Sequence, residues 1–60
     1  MEIRFYKGLT CTKVYRDVWY IVSDGYGNIE INFNSVDDSG TRRKIFVAAR
    51  DYTTYSVWSF

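Results

Sequence analysis

Three kinds of side chain in this sequence could do chemistry: carboxylates set among glycines, a lone thiol, and cations interleaved with tyrosines. Asp24-Gly25-Tyr26-Gly27-Asn28-Ile29 has the outline of a calcium loop. With Gly27 at the loop's glycine position, the first, fifth and twelfth positions fall on Val22, Tyr26 and Phe33. None of these is a carboxylate, whereas calcium takes about six to eight oxygen ligands and a closing bidentate Glu. The same glycines lack the third glycine, the following helix and the lysine of a phosphate cradle. Asp37 and Asp38 are adjacent in a polar stretch. Sequence neighbours on a loop diverge, and nothing there promises the burial that tunes a carboxyl for acid–base work. Cys11 sits between Thr10 and Thr12, and the chain has no His to activate it. No catalytic, cofactor-binding or metal-binding residue is assigned, and the expectation is a protein that is not an enzyme.

The cations carry a sharper signal. Arg42-Arg43-Lys44 is the densest positive run. In a strand, Arg42 and Lys44 share one face and Arg43 takes the other. With Tyr15, Tyr20 and Tyr26 as stacking platforms, these residues could hold the phosphates and bases of a single-stranded nucleic acid. A competing signal comes from surplus aromatics. Six Tyr, four Phe and two Trp make up 20% of the chain, more than a domain this small can bury. Tyr52, Tyr55, Trp58 and Phe60 crowd the C-terminal strand. Tyr and Trp are the favoured anchors of protein interfaces, and a strand edge without Pro can pair with another chain.

Size and composition limit the alternatives. Sixty residues make one domain, residues 1–60. Such a chain buries only roughly 60% of its unfolded surface, so it needs a staple, dense packing or a partner. One Cys excludes an internal disulfide. The formal charge of +1, from eight basic and seven acidic residues, neither demands nor excludes nucleic acid. No apolar run approaches the ~20 residues that span a bilayer. With one thiol and no signal-like N-terminus, a cytoplasmic, reducing location is expected.

Val18 to Phe33 positions everything else. Val18–Val22 is apolar and β-branched or aromatic, and Ile29, Ile31 and Phe33 alternate with Glu30 and Asn32. That is strand periodicity. The Asp-Gly and Gly-Asn steps between the two runs supply a hairpin turn. Glu2–Tyr6, Leu9–Tyr15, Arg42–Ala49 and Tyr52–Phe60 are also strand-like. Arg16-Asp17 holds no Gly, Pro or Asn, so the second strand is expected to run on through a bulge into Val18. Asn34–Thr41 is the longest loop.

The expected fold is all-β: a single antiparallel meander of about five strands, rolled into a small SH3-like or OB-like barrel because a flat sheet would leave an apolar face wet. The expected core is Ile3, Phe5, Val14, Trp19, Ile21, Ile29, Ile31, Phe33, Ile45, Val47, Val57 and Trp58. The leading functional expectation is a small binding protein that recognises another protein through an aromatic surface or an exposed strand edge. A free-standing frame of this size suits a regulator or inhibitor of the kind phages encode, and a homodimer would bury the surplus aromatics. Single-stranded nucleic-acid binding is the alternative.

Overall fold

The computed structural model describes residues 1–59. It is all-β apart from one 3₁₀ turn. Six strands follow in order: β1 (Glu2–Lys7), β2 (Thr10–Tyr15), β3 (Val18–Ser23), β4 (Ile29–Val36), β5 (Arg42–Val47) and, after the turn Ala49–Asp51, β6 (Thr54–Trp58). They form two antiparallel three-stranded sheets, β2-β1-β6 and β3-β4-β5. The Val18–Phe33 hairpin forms as its alternation requires, with Ile21 opposite Ile31 and Ser23 opposite Ile29.

The expected single sheet of five strands does not form, and the strands do not close into a barrel. The reason lies at Asp17. It adopts φ 61°, a left-handed conformation that Asp tolerates better than most residues. The chain therefore turns where continuation through a bulge was expected. Asp17 anchors the turn: its carbonyl accepts from the Asn34 amide at 2.9 Å, and its carboxylate accepts from the Ser35 amide at 3.1 Å. Val18 then starts a separate sheet. A reciprocal pair of bonds, Val18 N to Met1 O at 2.9 Å and Met1 N to Val18 O at 2.8 Å, links the starts of β1 and β3. At the other end the 3₁₀ turn carries the chain back, and β6 pairs with β1 from Glu2–Trp58 to Tyr6–Thr54.

The two central strands supply most of the core, because each is covered by a neighbour on both sides. Ile3 and Phe5 come from β1, and Ile29, Ile31 and Phe33 from β4. Val18 and Val47 complete the buried set, with Tyr15, Ile21, Ile45 and Tyr52 packed around it. Residues of both sheets share this one cluster, so the sheets pack inner face to inner face. Four expected core residues lie outside it: Val14, Trp19, Val57 and Trp58 are each more than 40% exposed. Val14, Val57 and Trp58 sit on the outer strands β2 and β6, which lack a second neighbour. Trp19 lost its inward position to a bulge between Val18 and Tyr20, so Val18 is buried and the indole points away.

Glu2 is a buried acid, 5% exposed. Its carboxylate accepts from Arg4 Nε at 2.5 Å and from Arg16 Nε at 3.0 Å, which ties β1 to the end of β2. The Arg4 hydrogen bond first, and the Arg16 bond second, hold its carboxyl below the ordinary value of 4.5. A depressed native pKa stabilises the fold fully above the unfolded-state value, and that contribution is lost as pH falls through the native one. Glu2→Gln is expected to unfold at a lower temperature than the wild type at neutral pH, with the gap narrowing on acidification below about pH 4.5. Melting curves of both proteins between pH 7 and pH 3 check this; a gap that stays constant would contradict it.

Candidate binding face

The outer face of β3-β4-β5 is built by strand alternation. Ile29, Ile31 and Phe33 take β4's inner side, so Glu30 and Asn32 point out. Tyr20 and Lys44 flank Asn32 on its two neighbours, while Val22 and Phe46 flank Glu30. The bulge adds Trp19 to this face, where its ring meets Tyr20 edge-on at 4.8 Å. Arg42, two residues before Lys44, lays its guanidinium over the indole at 3.9 Å. The face thus has three levels: Trp19 with Arg42, then Tyr20, Asn32 and Lys44, then Val22, Glu30 and Phe46.

The large apolar groups of this face are open to solvent. Phe46 is 73% exposed, Trp19 49%, Val22 48% and Tyr20 41%. A monomer scatters single apolar residues over its surface, but a contiguous set on one face marks an interaction site. The charges are ordered along the strands. Arg42 and Lys44 occupy one end; Glu30 and Asp24 occupy the other. Lys44 Nζ approaches Glu30 Oε1 at 3.8 Å, and Asn32 Nδ2 donates to Glu30 Oε2 at 2.9 Å. At the acidic end Val22, Asp24, Asn28, Ile29, Glu30 and Phe46 line an open groove of about 250 Å³. That lies below the roughly 300–1,000 Å³ of small-molecule sites, and suits one large side chain.

The hairpin turn fixes the groove's acidic wall. Asp24 accepts from the Tyr26 amide at 2.7 Å and from Asn28 Nδ2 at 2.6 Å. The Asn28 side chain first, then the Tyr26 N–H, hold its carboxyl below the usual range. The charge therefore persists in mildly acidic solution. Asp37 is likewise a turn former, accepting from the Ser39 hydroxyl and from the Ser39 and Thr41 amides.

The residues singled out in the sequence are scattered. Arg42 and Lys44 share the face described, whereas Arg43 lies on the opposite side, its guanidinium 5.0 Å from the Phe33 ring. Tyr20 belongs to the face; Tyr26, 86% exposed, stands at the hairpin tip. Tyr15 packs edge-on against Phe5 and Phe33 as part of the core margin. Tyr52 and Tyr55 pack against Phe5, and burial pushes the Tyr52 phenol above its ordinary value. Trp58 lies on the other side of β6, beneath Arg4 at 4.6 Å. Phe60 lies outside the described residues. Tyr52, Tyr55 and Trp58 therefore do not form one patch. Val22 and Phe46 belong to this face and are not among the expected site residues, although their parity opposite Ile21 and Ile45 places them outward. Trp19 is on the surface and not in the expected core, because a bulge leaves no mark in alternation.

Among the described residues no three of Cys, Asp and Glu gather as metal ligands, and no helix is long and apolar enough to cross a membrane. No protein-family model, curated protein or solved structure matches the chain.

Proposed function

We propose that this chain is a non-enzymatic binding protein that recognises a protein surface through the outer face of β3-β4-β5. The observation that carries the reading is the exposed set Trp19, Tyr20, Val22 and Phe46, held on a rigid sheet with charges at either end. An aromatic and aliphatic centre inside a polar rim is the anatomy of a protein interface. The state of the cations favours a protein partner over a nucleic acid. Arg42 is stacked on Trp19, Lys44 faces Glu30, and Arg4 and Arg16 hold Glu2. Phosphates would have to compete for each of them, and Glu30 and Asp24 would repel a backbone laid along the face.

Tryptophan fluorescence during titration with a mixed-sequence single-stranded oligonucleotide at low salt tests the choice. The expected result is no saturable change. Saturable quenching that weakens steeply with salt and disappears in Arg42→Ala/Lys44→Ala would overturn the protein reading. A photo-crosslinking amino acid at position 46 supplies the positive arm: it should join the chain to protein.

A further inference from the structure

The face is complementary to itself, and we infer that its occupant is a second copy of this chain, forming a two-fold symmetric dimer. This rests on the reading of the face as a protein-binding surface and names its partner. A symmetric contact needs one patch that carries both halves of every interaction. Here the basic end holds Arg42 and Lys44 with Trp19 and Tyr20 beside them, and the acidic end holds Asp24 and Glu30 with Val22 and Phe46 beside them. A two-fold axis lying in the contact and running across the strands superposes the basic end of one copy on the acidic end of the other. Tyr20 of each copy then approaches Val22 of its mate. The same operation brings the Trp19–Arg42 pair over the groove of Val22, Ile29 and Phe46, with Asp24 and Glu30 at its rim. The groove's size suits an indole, and its carboxylates suit the guanidinium stacked on it.

A specific interface covers about 800 Å² on each partner, roughly a fifth of the chain's 4326 Å² surface. A domain this small gains most from such cover, because among the described residues its own core holds seven buried apolar residues.

The test is the mass in solution, read by analytical ultracentrifugation from about 5 μM to about 500 μM, a range that brackets micromolar dissociation constants. Reductant is kept present because Cys11 is exposed. The expected mass rises to twice the 7.1 kDa of one chain. Glu30→Lys alone and Lys44→Glu alone place like charges opposite each other in the dimer, and each should weaken association at least tenfold. An equimolar mixture of the two should recover the dimer, since both intermolecular contacts then join opposite charges. The pair within each chain remains like-charged in that mixture, so recovery reports contact between chains. Phe46→Asp alters a side chain that is 73% exposed; it should fold and stay monomeric. A constant mass of one chain across the range, or a mixture no more associated than its components, overturns the dimer. A monomer that still crosslinks from position 46 to a different protein would overturn the dimer while sustaining the face as a protein-binding surface.

Discussion

Phe5→Ala is expected to leave the chain largely unfolded at 25 °C. Phe5 is 1% exposed on the central strand β1, and its ring meets Tyr52 at 5.0 Å, Tyr55 at 5.9 Å and Tyr15 at 6.1 Å. Truncating a buried Phe costs about 3–5 kcal/mol through lost transfer energy and the cavity left behind. Each edge-on aromatic pair adds about 0.5–1.5 kcal/mol beyond its area. A 60-residue domain has roughly 3–9 kcal/mol of stability to lose, at about 0.05–0.15 kcal/mol per residue. The loss is therefore of the same size as the total. Among the described residues no other holds as many aromatic rings, and those rings come from β2, β6 and the approach to β6, so the whole first sheet would loosen together. Phe5→Leu keeps an apolar group in place and should lose about 1–2 kcal/mol, remaining folded. Urea titration followed by circular dichroism checks the pair. A Phe5→Ala protein with a cooperative transition near the wild-type midpoint would show that the ring is not the hub described.

Gly27→Ala is the second large effect, and it is expected to exceed Gly25→Ala although both residues have positive φ. Gly25 lies at φ 86° and Gly27 at φ 91°, where an L side chain is strained by about 1–3 kcal/mol. The two sites differ in their surroundings. A Cβ on Gly25 meets nothing within 4 Å, whereas one on Gly27 comes 2.9 Å from Ala49 Cβ. Ala49 has no rotamer to move, so backbone must shift. Gly27 O also accepts the Tyr52 hydroxyl at 2.5 Å, and Asn28 Oδ1 accepts the Ala49 amide at 3.1 Å. These bonds tie the hairpin tip to the 3₁₀ turn that passes the chain between sheets. Gly25→Ala should lose about 1–2 kcal/mol from strain alone. Gly27→Ala should lose about 1–2 kcal/mol more, because overpacking adds to the strain. The double variant Gly27→Ala/Ala49→Gly removes the clash and should recover part of the difference. Equal losses at the two glycines would show that the close approach is absorbed without cost.

The local elements of this protein were legible in the sequence. Period-two alternation set Ile29, Ile31 and Phe33 against Glu30 and Asn32, which identified a strand and its buried face. Asp24 through Asn28 identified the turn, because Gly25 and Gly27 supply the positive φ that it requires. The same parity rule placed Arg43 opposite Arg42 and Lys44. These are short-range consequences of backbone geometry, and each follows from the residues within a few positions.

What only the tertiary structure decided is long-range. Whether β2 runs on into β3 depends on whether the left-handed turn at Asp17 is stabilised, and its stabilising partners, Asn34 and Ser35, lie seventeen and eighteen residues away. That single turn divides one sheet into two. The bulge that expels Trp19 is a property of pairing between β3 and β4, since an extra residue is extra only relative to a partner strand. The return of β6 to β1 likewise joins the ends of the chain and turns Tyr52 and Tyr55 inward onto Phe5. It also leaves Trp58 on the far side of the strand, so a cluster along the sequence became two separate surfaces. The binding face arose the other way round: Trp19, Tyr20, Val22, Arg42, Lys44 and Phe46 are brought together by the β3-β4-β5 register, because β4 buries one side of its hairpin and exposes the other.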